Sequence, residues 1–268
     1  MPTIDHIAPG DAGAKERLER FFRRAPQLHF YSLGDLDDFF WPHTRWFVLR
    51  EGGSDEAAVL LYTGGALPAC LAVHDGAEQP MVELLTAILP ELPPRLYWHL
   101  SPGLEEAVAQ RFRLQSHGSF LKMACAAASL ELVSSPGVSP LGPGDFEEVL
   151  AFYGEAYPGN WFEPFMLATG SYLGIRESGR LLAVAGVHTV SDRYRIAALG
   201  NIATHPEARG RGLATLATSA MCALLRPRVD LIGLNVRESN AAAIRCYSKL
   251  GFRPAAFYGE WMAEAQGA

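Results

Sequence analysis

The sequence predicts a mixed α/β protein built from two consecutive halves. Three observations carry this reading. Apolar runs of strand length alternate with segments of helical period along the chain. The order strand, helix, strand, helix, strand occurs in residues 1–128 and again in residues 145–268. Between them lies "SLELVSSPGVSPLGPG", residues 129–144, whose Pro, Gly and Ser content is that of a linker. Residues 1–128 and 145–268 are therefore expected to form one domain each.

The second half reads clearly. "GDFEEVLAFYGEAY" is an amphipathic helix with Asp145 as the expected N-cap. "SYLGIRESGRLLAVAGVHTVS" reads as two strands around the turn at 177–180. "RIAALGNIAT" is a buried strand. "GLATLATSAMCALL" is a helix expected to turn Leu213, Leu216, Ala217, Ala220 and Leu224 inward. "VDLIGLNVRE" is a strand, and "NAAAIRCYSKLGF" a helix opened by Asn240 and stopped by Gly251. "RPAAFYGEWMA" closes the chain with a β-like pattern. In the first half, helices are expected at 11–24, 33–40, 78–89 and 103–112. Strands are expected at 45–50, 57–62, 67–74, 95–100 and 119–125. Asp35, Asp37 and Asp38 read as a solvated helix side, not a metal site.

Composition narrows the function. The chain of 268 residues is 49% hydrophobic with a formal charge of -6, which disfavours a polyanionic partner held by the overall field. No run of about 18 apolar residues occurs, and the first residues lack the apolar core of a signal peptide. Nucleic acid and membranes are not expected as partners, and the cytoplasm is the expected location. Cys70, Cys125, Cys222 and Cys246 lie far apart with no C-x-x-C pair, so they are expected to be reduced core residues with no metal.

One stretch carries chemistry: "LGNIATHPEARGRGLATLATSAMC", residues 199–222. It places Arg-Gly-Arg-Gly between a strand and a helix. A helix start presents unpaired N–H groups and a positive dipole end, glycine lets an anion approach the backbone, and arginine adds charge. The turn is thus a phosphate cradle, or else a plain β–α turn. A P-loop is excluded because no lysine follows. A dinucleotide fingerprint fails at Thr215, which stands where glycine or alanine belongs.

Arg209-Gly210-Arg211-Gly212-Leu213-Ala214 fits [QR]-x-x-G-x-[GA] and resembles the acetyl-CoA signature of the GNAT superfamily of N-acetyltransferases. "LNVRESNAAAIRCYSKLGF", residues 234–252, resembles the family's second segment, in the right order and spacing. The resemblance implies two tandem GNAT-like domains, the N-terminal one degenerate. The first half has "LAVHDGAEQPMVELL" where the second has its Arg-Gly turn, and it is expected to shape the acceptor pocket or a dimer interface. The resemblance implies acetyl-CoA as co-substrate and no metal. The backbone of Arg209 to Ala214 would hold the pyrophosphate, and Ile202, Ala203 and Thr204 would pair with the pantetheine arm. Asn240 would bond the pantetheine, and Tyr247 would protonate the departing thiolate. Thr215 and Asn235 complete the implied binding set. Asn240 and Tyr247 are seven apart and so share a helix face.

The sequence departs from the family at one point. Bacterial ribosomal-protein acetyltransferases carry a glutamate base in L-E-V, and here the triplet is Leu234-Asn235-Val236. Asparagine takes no proton. His188 is the candidate base, with an ordinary pKa near 6.5, and Glu163 a weaker one. Tyr157, Trp161 and Phe162 either wall the acceptor pocket or pack in the core. The expected reaction is direct acetyl transfer to a primary amine of a small molecule or peptide. The alternatives are a CoA-binding regulatory protein without turnover, and an acyltransferase to a small amino acid with room left by Ala197, Ala198 and Gly200. A homodimer is left open.

Overall fold

The computed structural model describes residues 2–267. The chain divides into two compact units, one made of residues up to Lys122 with Arg237–Ser239 and the stretch from Ala255, the other of Met123–Val236 with Asn240–Pro254.

Along the chain run β1 (Thr3–Ile7), α1 (Ala14–Phe22), α2 (Phe30–Gly34), β2 (Thr44–Glu51), β3 (Ser54–Tyr62), β4 (Ala69–Ala72), α3 (Glu78–Ile88), β5 (Arg95–Leu100), α4 (Glu105–Ala109) and β6 (Phe112–Ala126). There follow β7 (Val138–Pro140), α5 (Phe146–Ala156), α6 (Pro164–Ala168), β8 (Leu173–Glu177), β9 (Arg180–Ser191), β10 (Ile196–Thr204), α7 (Leu213–Leu225), β11 (Leu231–Arg237), α8 (Ala241–Lys249) and β12 (Arg253–Ala265).

In the first unit the strands lie in the order β1-β2-β3-β4-β5-β12. Only β4 and β5 run parallel; their neighbours pair antiparallel. Trp98, Phe47, Leu85 and Phe112 anchor its core. In the second unit the order is β11-β10-β9-β8-β7, and only β10 and β11 are parallel. Tyr153, Tyr172, Met166 and Phe152 fill its core beneath α5 and α6. Both units are thus mixed α/β sheets, as the alternating sequence pattern predicts.

Several local expectations are corrected. The helix expected at 33–40 is Phe30–Gly34. Beyond it the Asp37 carboxylate takes the Phe39 N–H at 3.1 Å, a local turn that competes with helix. Asp35 is buried at the end of α2, so only Asp38 is exposed and Asp37 half-buried in this stretch. Asp145 makes no side-chain cap on α5; its carboxylate accepts the Gly142 N–H at 2.7 Å and pairs with Arg176. The inner face of α7 is Leu213, Ala217, Met221 and Leu225, with Thr218 and Cys222 beside it, while Leu224 is exposed. The run Leu213, Ala217, Met221, Leu225 keeps strict i, i+4 spacing; Leu224 lies off that line. Cys246 is only half-buried, unlike the three other free cysteines. The short helix α6 has no periodic signal and begins at Pro164, a favoured first helical position.

Candidate functional site

The site begins where two strands part. β10 and β11 pair in parallel from Ile196↔Leu231 to Leu199↔Leu234 and no further. β10 continues to Thr204 on its pairing with β9, and its other edge loses β11 from Gly200 onward. The backbone groups of Gly200 to Thr204, including those of Ile202 and Ala203, thus border a wedge opposite Asn235. Asn235 Oδ1 on β11 and Thr204 Oγ1 on β10 are buried without a hydrogen-bond partner among the described residues. Buried polar atoms of this kind call for a ligand or water.

Where β10 leaves β11, its pairing with β9 carries a bulge between Gly200 and Ala203. Asn201 sits at φ 54°, in the left-handed region that asparagine tolerates best after glycine. Its side chain is held on every side. Nδ2 donates to the Trp161 carbonyl and the Tyr172 hydroxyl, both at 2.9 Å. The Tyr153 hydroxyl donates to the Asn201 carbonyl at 2.6 Å. Asn201 Oδ1 faces Asn160 Nδ2 at 3.3 Å and His188 Nε2 at 3.4 Å. With Nδ2 fully used as donor, Oδ1 asks His188 for its Nε2–H, which puts the imidazole lone pair on Nδ1. Nothing in the sequence pattern singles out Asn201; the one signal is a polar residue inside an apolar strand.

His188 lies on β9, three residues before the strand ends at Ser191. Its ring covers Gly200 so closely that a Cβ there would lie 2.3 Å away. Glycine is therefore required at 200 for the ring to reach the wedge. Burial pushes the His188 pKa below its ordinary 6.5, opposed by the Asn201 contact. The imidazole is neutral at pH 7. The Trp161 ring lies 5.9 Å from it, between centroids. Trp161 and Tyr157 are exposed, whereas Phe162 packs between Phe146, Tyr153 and Tyr172 and belongs to the core. Glu163 opens α6 and makes no side-chain cap there.

Beyond β10 the chain turns into α7. Gly210 and Gly212 stand at φ 78° and 79°, and a Cβ on either would meet open space. Gly212 caps α7 with no side-chain hydrogen bond. From Gly210 through Arg211, Leu213 and Ala214 to Thr215, no backbone N–H has a partner among the described residues; the first to be used is Leu216, bonded to Gly212. The geometry fits a diphosphate: unspent donors at a helix start, with no side chain in front of them. The two arginines are differently placed. Arg209 donates to the carbonyls of Thr204 (3.3 Å) and Ala156 (3.2 Å), tying the turn to β10 and α5. Arg211 is exposed and pairs with Glu177.

On α8, Asn240 caps the helix by accepting the Ala243 N–H at 3.1 Å, which leaves its Nδ2 donors for other partners. Tyr247 is buried against Phe252, its hydroxyl unbonded among the described residues, and burial raises its pKa. Thr215 Oγ1 donates to Cys246 Sγ at 3.2 Å, joining α7 to α8. Among the described residues no three His, Cys, Asp or Glu gather as a metal would need, and no helix is long and apolar enough to cross a membrane.

Parallel strands parted in front of an open helix start define an α/β domain shaped for an extended ligand that ends in an anion. Residues 143–252 match the acetyltransferase (GNAT) family. A mycothiol acetyltransferase of Tsukamurella paurometabola is 38% identical over 97 residues, 35% of this chain and 33% of that relative. The chain spans about a third of the length of the curated relatives it matches. A solved putative acetyltransferase of the GNAT family from Novosphingobium aromaticivorans is 25% identical, with a TM-score of 0.57 over 78% of this chain and 88% of that one. A tandem GNAT protein from the clavulanic acid biosynthesis pathway superposes over 100% of both chains with a TM-score of 0.56 at 18% identity, which shows a shared tandem fold.

Proposed function

We propose that the protein is an acetyl-CoA-dependent N-acetyltransferase whose donor site is the wedge between β10 and β11. The observation that carries this is the parted strand pair leading into a helix start with unspent N–H groups. Acetyl-CoA supplies an acyl group activated as a thioester. The backbone N–H groups of residues 210–215 hold the diphosphate, and the open edge of Ile202, Ala203 and Thr204 pairs with the amide-bearing arm. Asn240 Nδ2 and the orphaned Asn235 Oδ1 offer further contacts. A β10 backbone N–H in the wedge polarises the thioester carbonyl, as an oxyanion-hole donor does.

His188 acts as base. It is neutral at pH 7 and held by Asn201, and its lone pair takes the proton of the attacking amine. Tyr247 keeps its proton, because burial makes it a weaker acid than a thiol. It therefore stabilises the leaving thiolate by donating a hydrogen bond. The acceptor of the mycothiol acetyltransferases is the first compound to try, followed by a panel of small and peptide amines.

Calorimetric titration with acetyl-CoA, paired with an assay of released thiol across that panel, tests the reading. One site per chain and thiol release with at least one amine are expected. No binding at millimolar acetyl-CoA would overturn it. Binding with no release for any amine would leave a CoA-binding protein without turnover.

A further inference from the structure

The strand that borders the wedge runs on into a buried histidine that the chemistry of acetyl transfer does not use. His205 follows Thr204 and is 4% exposed. Its N–H donates to the Leu182 carbonyl at 2.8 Å, which carries the β9–β10 pairing one residue past Thr204. The chain then makes one turn of 3-10 helix, Pro206–Ala208, before the Arg-Gly-Arg-Gly segment. Proline at the first position of that turn has no N–H, so the first donor to satisfy is the N–H of Glu207. His205 Nδ1 accepts it at 3.3 Å. The imidazole thus serves as N-cap, a place more often taken by Ser, Thr, Asp or Asn.

The cap fixes the tautomer. Nδ1 accepts and so carries no proton, which puts the ring hydrogen on Nε2. Nε2 lies 2.8 Å from Glu155 Oε2 on α5, a donor facing a carboxylate. Arg180 Nη2 is also 2.8 Å from Nε2. Two donors cannot bond each other, and Arg180 acts on the carboxylates instead, at 2.7 Å from Glu207 and 3.6 Å from Glu155. The turn is therefore held at both ends. The His205 ring stands in front of it, and behind it the Arg209 guanidinium binds the carbonyls of Thr204 and Ala156. Gly210 follows directly, the first of the residues whose N–H groups are unspent.

We propose that His205 is a positioning residue of the donor site: its imidazole, as the Nε2–H tautomer, caps the turn through Nδ1 and so sets the direction in which the N–H groups of residues 210–215 meet the diphosphate. The inference rests on the donor-site reading above. Gly210 and Gly212 bring no side chains to brace their own stretch. The bracing comes from the elements on either side, α7 after it and the capped turn before it. Loss of the cap leaves the sheet and helices in place and misdirects the donors.

Two substitutions separate the two ring nitrogens. In His205→Asn the amide oxygen takes the place of Nδ1 and accepts the Glu207 N–H. In His205→Gln the longer side chain puts its amide where Nε2 was, keeping the Glu155 contact and giving up the cap. Calorimetric titration with acetyl-CoA is run on the full-length native protein and both variants. The Gln variant should bind at least about tenfold more weakly and the Asn variant within about threefold of the native protein, the scale of losing and of keeping an N-cap. Equal affinities in all three, equal losses in both variants, or the greater loss in Asn would overturn the proposal. A native protein that binds no acetyl-CoA would instead bring down the donor-site reading and this inference with it. Long-range proton–nitrogen spectra of the native imidazoles, taken at about pH 8 where an ordinary histidine is neutral, need no variant. His205 should show a bare Nδ1 and a protonated Nε2. A protonated Nδ1 would sink the proposal even if a variant failed to fold.

Discussion

The parallel pair β4–β5 of one unit and the parallel pair β10–β11 of the other end differently. β4 and β5 stay in register from Ala69↔Tyr97 to Ala72↔Leu100. Past them the Ser101 N–H reaches the Ala72 carbonyl at 3.0 Å, and Ser101 Oγ accepts the His74 N–H at 3.0 Å. The turn into α3 uses its own donors, Gly76 N–H on His74 Nδ1 at 3.2 Å and Glu78 N–H on the Gly76 carbonyl at 2.9 Å. Its first helical residue is an acid, Glu78. In the other unit β10 leaves β11 after Leu199, and the turn into α7 spends none of its donors from Gly210 to Thr215. The comparison teaches that an anion site in this fold is a matter of strand ends and turn backbone. The sheet and its helices are common to both halves.

The largest effect expected concerns chemistry in the parted pair. His188→Gln keeps a polar side chain near Asn201 and removes the base. Turnover with any amine that reacts should fall about 10²- to 10⁴-fold. In the native protein the rate should fall only as pH drops below 6.5, because burial lowers the His188 pKa from there. The variant should lose that acid limb. A pH profile unchanged by the substitution would show that another group is the base. Tyr247→Phe should lower turnover while leaving acetyl-CoA affinity intact.

Next comes the turn itself. Gly212→Val forces a β-branched residue to φ 79° and sets a methyl group in the open space before α7. Affinity for acetyl-CoA should drop by about 30-fold or more, a cost of about 2 kcal/mol. Gly76→Val strains the matching turn of the first unit, where φ is 119°, and should leave affinity unchanged. Two binding sites per chain, or an equal loss in both variants, would break the comparison.

Much of this contrast was legible beforehand. The Arg-Gly-Arg-Gly turn is a local signal, written in adjacent residues, and so is its absence from "LAVHDGAEQPMVELL". Strand and helix order is legible for the same reason, since periodicity is local. The parting of β10 from β11 was not. It coincides with Asn201 in a left-handed conformation, held by Tyr153, Tyr172 and Trp161 from three other segments. Nor was the role of Gly200 legible, because only the fold brings His188 over it. The roles of the two arginines also follow from distant partners, Glu177 for Arg211 and backbone carbonyls for Arg209.

A smaller effect separates the units by pH. His29, buried beside the Phe22 ring in the first unit, is pushed down to about 3, chiefly by burial and then by the charge of Lys122. In the unfolded chain it titrates near 6.5. Between these values the unfolded state holds the extra proton, so stability is lost as pH falls below 6.5. The loss approaches about 1.4 kcal/mol per pH unit. Urea unfolding at pH 7 and pH 5 should show it, and His29→Phe should reduce the difference. A difference that persists in full in that variant would assign it to other groups.

The smallest effect tests whether Arg211 is available to an anion. Its guanidinium pairs with Glu177, an exposed carboxylate, so a diphosphate at the turn competes with that acid. Glu177→Gln removes the competitor and one negative charge near the helix start. Acetyl-CoA affinity should rise about twofold to fivefold at low salt, the scale of exposed charge effects at a helix N-terminus. The gain should fade at about 0.5 M salt, where screening shortens the reach of surface charges. Glu78→Gln makes the same charge change at the start of α3 and should leave affinity as it was, because no anion docks there. A weakened affinity in Glu177→Gln would mean that the ion pair shapes the turn for binding, and Arg211 would then be a positioning residue rather than a direct ligand.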